Sequence, residues 1–290
     1  MLRRWCVLLA MLAVTVGTAL TAGTASAATG ELTGHAGLGG GGPWPWPPPG
    51  TGSWVPGGPI NLAGRTFSQT NGQAESTNWS GYAATTGTYT NVSASWTQPK
   101  GTCTSGDQYA AFWVGLDGYR SSTVEQTGTE VDCVGKTAEY YAWWEMYPGA
   151  SVDLSSTKYP VHALDVFNAS VKYVSGSEFT LTLTDTSASP VWTATENESL
   201  SRGTAARSSA EVIAEAPCCT VAGGILPLTN FGTMTFTSAM VTPTSGSSEA
   251  IGSAPGNTEI TMVDNLGRDK DTVSSLTSGE NFSCTWKASS

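Results

Sequence analysis

From about residue 76 to the C-terminus the apolar residues come in short runs, each broken by Gly, Ser, Asn or Asp. VSASWTQP (92–99), QYAAFWVGLDG (108–118), AEYYAWWEMYP (138–148), SVKYVSG (170–176) and FTLTLTDTS (179–187) are five of them. PVWTATEN (190–197), SAEVIAEAP (209–217), TMTFTSAMV (233–241) and EITMVDN (259–265) continue the series. The runs are rich in Thr, Val, Tyr and Trp, and no long stretch holds a 3.6-residue period with caps. The pattern predicts an all-β sandwich. FTLTLTD alternates apolar and polar positions, as a strand with one solvated face does, and Gly115 with Gly118 predicts a turn after AFWV.

Residues two apart in a strand point to the same side. Trp143, Glu145 and Tyr147 therefore share a face, as do Val124, Gln126, Gly128 and Glu130. In SAEVIAEAP, Glu211, Ile213 and Glu215 line up, while Ala210, Val212 and Ala214 form the apolar row behind them. Three strands thus each offer polar groups on one face, which suits a binding or catalytic surface.

The N-terminal quarter reads differently. Residues 1–27 carry a basic start, MLRRW, an apolar stretch, CVLLAMLAVTVG, and the small-residue site Ala25-Ser26-Ala27. That is a secretory signal peptide, and cleavage after Ala27 is expected. Residues 28–75 hold thirteen Gly and seven Pro, including GLGGGGPWPWPPPG, and have no strand or helix period. Such a segment buries too little apolar surface to fold alone, so it is a linker or a pro-segment. Residues 76–290 are long enough for one domain with a sizeable core.

Charge and cysteine count narrow the setting. With 23 acidic and 13 basic residues the net charge is −10, which argues against nucleic acid or an anionic membrane as partner. No feature suggests an obligate partner, so a monomer is expected. Of the six cysteines, Cys6 leaves with the signal peptide. In an exported protein the rest pair where geometry allows: Cys103 with Cys133, and Cys284 with Cys218 or Cys219.

The inventory excludes several hydrolytic plans. His162 is the only histidine beyond residue 75, so a multi-histidine metal cage is absent and no metal or cofactor is expected. No GxSxG elbow is present to give His162 a nucleophile. Carboxylates and amides remain. An amide such as Gln126 cannot move protons, but it can donate a hydrogen bond to an oxygen that becomes negative.

Five stretches carry a resemblance: NWSGY (78–82), FWVGLDG (112–118), EQTGTE (125–130), AWWEMYP (142–148) and SSAEVIAEAP (208–217). In order and spacing they resemble the motifs of the glutamic peptidases, the eqolisin family, in a secreted, bacterial form. The resemblance implies a concanavalin-like β-sandwich of two large antiparallel sheets with a groove across one of them. It implies a secreted, acid-active endopeptidase that cuts protein or peptide substrates without a metal. The family's catalytic Gln and Glu fall on Gln126 and Glu211. By the same matching, Trp79, Trp113 and Trp143 are groove walls. Asp117, Glu130, Glu145 and Tyr147 are substrate-contacting residues.

The match has departures. The fungal members carry an acidic residue where this chain has Tyr141, and Asp where it has Glu130. Their pro-segments are basic, whereas residues 28–75 offer only His35 and Arg65 as cations, so occupation of the groove by Trp and Pro is the expected mode of inhibition. Self-cleavage between Gly64 and Glu75 would release it. A Trp-lined face with paired carboxylates would also suit a glycoside hydrolase, with Glu145 and Glu211 as its pair, or a carbohydrate-binding module.

Overall fold

The structure, a computed structural model, describes residues 72–217 and 224–290, all within one compact unit. In chain order the strands are β1 (Gln73–Ser76), β2 (Trp79–Ala84), β3 (Tyr89–Thr97), β4 (Gln108–Leu116), β5 (Val124–Val134) and β6 (Thr137–Tyr147). Next come β7 (Val152–Asp153), β8 (Val166–Ser175), β9 (Glu178–Asp185), β10 (Trp192–Ser199) and β11 (Ala210–Glu215). The last are β12 (Thr233–Pro243), β13 (Glu249–Ala250), β14 (Asn257–Val263), β15 (Asp269–Val273) and β16 (Phe282–Trp286). The described residues include no α-helix, only a short 3-10 turn over Ile251–Ser253.

Hydrogen bonding links the strands in the order β10-β9-β8-β3-β12-β16-β15-β14-β2-β11-β4-β5-β6-β7. Every pairing is antiparallel except that of β1, which lies parallel to β14. The two expected sheets are joined through β16, β15 and β14, and the path doubles back so that β3, β8 and β9 pack on β4, β5 and β11. Between these layers lie Trp96, Phe167, Val171, Phe179 and Leu181 on one side and Phe112, Val114, Val131 and Val212 on the other. Each such buried side chain contributes roughly 1.5–3 kcal/mol by leaving water.

Alternation decides what the other face holds. In β11, Ala210, Val212 and Ala214 enter this core, so Glu211, Ile213 and Glu215 emerge on the reverse. On that reverse face a second apolar cluster forms from Trp79, Trp113, Trp143, Tyr119, Val124 and Ile213.

Two expectations are corrected here. Gly115 does not begin a turn: it lies inside β4, and the chain turns at Asp117 and Gly118, both at positive φ (70° and 104°). Gln73–Glu75, placed by composition in the Gly/Pro-rich segment, pair with Glu259–Thr261 of β14. The disulfide Cys103–Cys133 is present and ties the loop before β4 to the end of β5. Cys284 is a free, buried thiol in β16, and its expected partners Cys218 and Cys219 lie outside the described residues.

Candidate active site

Strand register builds the site in rows. Glu211 of β11 is opposite Gly115 of β4, Gly115 is opposite Gln126 of β5, and Gln126 is opposite Glu145 of β6. Neighbouring strands lie ~4.8 Å apart, so Glu211 and Gln126 face one another over roughly 10 Å at the backbone. Gly115, between them, contributes no side chain. A Cβ there would sit 2.8 Å from the Trp113 ring and 3.2 Å from the Gln126 Cβ.

The next row runs Ile213, Trp113, Gly128, Trp143. A second glycine thus separates two tryptophans, and a Cβ on Gly128 would lie 2.2 Å from the Phe112 carbonyl oxygen. The third row brings Trp79, Glu215, Ala111, Glu130 and Tyr141 together. Trp79 meets Trp113 edge to face, with ring centroids 4.9 Å apart. Trp113 donates its indole N–H to Glu215 at 2.8 Å. Asn78 donates to the same carboxylate at 3.3 Å.

Glu211, Gln126 and Glu145 are all fully buried. Neither carboxyl oxygen of Glu211 has a hydrogen-bond partner among the described residues. Burial therefore pushes its pKa well above the usual carboxylate range. The nearby Ser209 hydroxyl pulls it down and the charges of Asp117 and Glu125 push it further up. Desolvation outweighs the rest because removing a charge from water costs more than the Ser209 hydroxyl and the Tyr119 backbone N–H return.

Gln126 donates from Nε2 to Glu145 Oε2 at 2.8 Å. Burial, and then the charge on Glu215, raise the Glu145 pKa well above the usual range, against the pull of the Gln126 amide. Further along β5, burial lifts Glu130 to about 8. Asp132, two residues on and on the same face, is raised by burial and by the Glu130 charge beside it. Tyr141 donates to Asp132 at 3.0 Å.

Asp117 is buried at the turn after β4. Its carboxylate accepts from Arg207 N at 2.6 Å, Ser208 N at 2.9 Å and Ser208 Oγ at 3.1 Å. Its own amide donates to Ser209 O at 3.0 Å. Asp117 therefore pins the backbone that leads into β11, two residues before Glu211. Tyr147 ends β6 opposite Val124 and is half-buried. Trp79, Trp113 and Trp143 are fully buried, and the indole N–H groups of Trp79 and Trp143 have no partner among the described residues.

The structure thus brings Gln126, Glu211 and Glu145 into one row and Trp113, Trp143, Trp79 and Glu130 into the rows beside it. Asp132 was not singled out from the sequence, and Gly115 and Gly128 were named there without the part they play in the site. Asp132 stands at the next same-face position after Glu130, so strand alternation alone reaches it. The role of Gly115 and Gly128 was hidden because the space a glycine leaves depends on which strands flank it. His162 lies apart, 72% exposed, 3.2 Å from Asp165. It lines a cleft of about 430 Å³ with Lys158, Asp185 and Trp192. Among the described residues no cluster of three or more His, Cys, Asp or Glu is arranged to hold a metal ion.

The sequence profile of the peptidase A4 family matches residues 77–286. No curated protein sequence matches the chain. Among solved structures, scytalido-glutamic peptidase bound to a transition-state analogue inhibitor aligns with a TM-score of 0.63 and 24% identity, over 73% of this chain and 98% of that one. SCP-B, an eqolisin solved with the tripeptide Ala-Ile-His, aligns at 0.58 and 23% identity, over 73% and 98%. Aspergilloglutamic peptidase from Aspergillus niger aligns at 0.54 and 24% identity, over 62% and 99%. These likenesses establish the eqolisin β-sandwich fold.

Proposed function

The chain belongs to the peptidase A4 family, and from that premise we propose that it is a secreted, acid-active glutamic endopeptidase whose working pair is Glu211 and Gln126. The observation that carries the reading is their opposition across Gly115 in one row. That row sets a carboxyl and an amide on one sheet face with no side chain rooted between them.

Glu211 takes a proton from the attacking water and returns it to the departing amide nitrogen. Its buried setting raises its pKa, so the ionised form is a stronger base than a surface carboxylate and the protonated form holds its proton to higher pH. Gln126 donates an N–H to the carbonyl oxygen as it becomes an oxyanion, a contact worth on the order of 10²–10³ in rate. The row itself supplies water activation and oxyanion stabilisation, so the chemistry needs no metal, and chelators, serine-directed reagents and pepstatin leave it unaffected.

Trp113 and Trp143 flank Gly128 one row away, where an extended peptide lies against them. Residues 1–27 direct export, and the Cys103–Cys133 disulfide fits an oxidising compartment. The segment from residue 28 to a cleavage point ahead of β1 holds the enzyme inactive until acid self-cleavage removes it.

Glu211→Gln tests the reading. The variant should fold, because the carboxyl makes no hydrogen bond that the core depends on, and should lose roughly 10²–10⁴-fold in kcat/KM on casein near pH 4. Wild-type turnover in the folded variant rejects the pair.

A further inference from the structure

We infer that the cleft beside the β9–β10 turn, together with the outer face of β8, β9 and β10, is a binding surface for a neutral polysaccharide, separate from the Glu211–Gln126 row.

The cleft holds about 430 Å³, within the ~300–1,000 Å³ that small-ligand sites occupy. Its walls are the segment leading into β8 and the turn between β9 and β10. Trp192 is half-buried there, and its ring is held in place. The indole N–H donates to Pro160 O at 3.1 Å, and the ring packs on Tyr159 and Phe167 with centroids 5.3 and 5.7 Å away. Pro160 and Pro190 add two more rigid apolar rings to the lining. A sugar ring presents an apolar face of C–H groups and a rim of hydroxyls, so it suits a rigid ring to lie on with a few polar groups beside it.

Charge decides the class of ligand. Lys158 and His162 stand against Asp165 and Asp185 around the cleft, so neither sign dominates. Asp165 Oδ2 accepts from His162 N at 2.6 Å and lies 3.2 Å from His162 Nδ1. Asp185 Oδ1 accepts from Ser187 N at 2.9 Å, Ser187 Oγ at 2.7 Å and Ala188 N at 3.0 Å. Both carboxylates are thus engaged within the protein, which leaves no acidic pocket for a cation and no cationic pocket for an anion.

The adjoining sheet face has the same character. One position from the Trp192–Asp185 pair, a row runs Thr193, Thr184, Asn168, Ser95, Thr237 across five strands. The next row runs Thr195, Thr182, Ser170, Ser93. None of these side chains is buried, and successive members stand ~4.8 Å apart. Thr184 and Thr193 hydrogen-bond each other at 3.0 Å and Ser95 donates to Asn168 at 2.7 Å, so the hydroxyls are fixed in a regular array. The chain carries a net charge of −10, yet no acidic or basic residue enters either row. A charged polymer finds no partner on such a face, whereas a neutral chain of hydroxyls meets donors and acceptors along it. The inner side of β8 and β9 packs on β4 and β5, so this surface and the Glu211–Gln126 row lie on opposite sides of the sandwich. A polymer held here does not cross the row, and the surface tethers the protein to an insoluble matrix.

Pelleting of the secreted protein with cellulose, an insoluble β-glucan and an insoluble arabinoxylan tests this, with resin-bound pectate as the anionic control. At least one neutral polymer should retain the protein and pectate should not. Retention should persist in about 1 M salt, where the Debye length is only ~3 Å. Trp192→Ala should weaken it ~10-fold by removing the stacking ring. His162→Ala changes a side chain that is 72% exposed, so it folds whatever Trp192→Ala does, and it should weaken retention several-fold. Thr182→Glu, which stands a long charged side chain amid the rows, should do the same. Casein turnover should be unchanged in all three variants, a readout that does not depend on which residues carry the reaction. No retention by any neutral polymer, stronger retention by pectate, loss of retention in salt, or retention untouched by His162→Ala and Thr182→Glu overturns the inference.

Discussion

Gly115 is the residue on which the site depends and the one that sequence alone misplaced. Read in a line, glycines at 115 and 118 suggest a turn. In the sheet, Gly115 is instead the vacant position between Gln126 and Glu211. Its φ is not positive, so alanine is conformationally acceptable there, and the constraint is space alone. The added methyl would meet the Trp113 ring at 2.8 Å and the Gln126 Cβ at 3.2 Å. The ring cannot yield as a flexible side-chain end would, so Gln126 and Trp113 shift apart. Gly115→Ala should therefore fold and lose on the order of 10²-fold in kcat, the usual result of displacing a catalytic group by about an ångström. Steady-state kinetics beside a thermal melt checks this, and unaltered kcat would show that the gap is not where the reaction occurs.

At the scale of elements, alternation assigned every face that matters. Gln126, Gly128 and Glu130 do share one side of β5, Glu145 and Trp143 one side of β6, and Glu211 and Glu215 one side of β11. That legibility has a physical source: a two-residue period is local, and the apolar row Ala210, Val212, Ala214 fixes which side faces the core. β15 and β16 did not stand out, because DKDTV and FSCTW are short and mix polar with apolar positions. β1 was hidden for the same reason, since QAES takes its strand form only from parallel pairing with β14. That pairing narrows the cleavage window. Glu259 donates its amide to Gly72 O at 2.8 Å, and Gln73–Ser76 are held along the strand. A protease needs its substrate backbone extended and free of the sheet, so self-cleavage should fall between residues 64 and 71. N-terminal sequencing of protein held at pH 4 reads the position. A mature chain beginning beyond Ser76, or one that stays at Ala28 while fully active, would contradict it.

Strand order at the scale of the whole molecule was out of reach of local pattern. β2 lies between β14 and β11, and β12 between β3 and β16, neighbours that are distant in sequence and chosen by packing complementarity. The fold so assembled takes an unusual set of carboxyls out of water. Asp271 of β15 accepts from Ser80 of β2 inside the sandwich, and burial raises its pKa to about 7. Glu125, on the core side of β5, is raised to about 9 by burial and by Asp117. Glu130 is raised to about 8, and Asp132, Glu145 and Glu211 are raised as well.

These shifts tie stability to acid. In the unfolded chain carboxyls ionise near ~4. Below that pH the folded and unfolded states are equally protonated at these groups, and their contribution to stability is fully present. As pH rises the unfolded chain gives up protons that the folded chain retains, so stability falls. For Asp271 the fall spans the window from ~4 to about 7, for Glu130 it extends to about 8 and for Glu125 to about 9. Each group removes about 1.4 kcal/mol per pH unit within its window. Domains of this kind have net stabilities of only about 5–15 kcal/mol, so several such groups acting together dominate the pH response. The thermal midpoint should therefore be highest near pH 4 and decline toward neutrality. Asp271→Asn, which keeps a polar partner for Ser80 but does not ionise, should make that decline shallower between pH 4 and 7. Scanning calorimetry of both proteins across this range decides it, and a midpoint that climbs with pH in the wild type would mean that these carboxyls are solvated in the working enzyme.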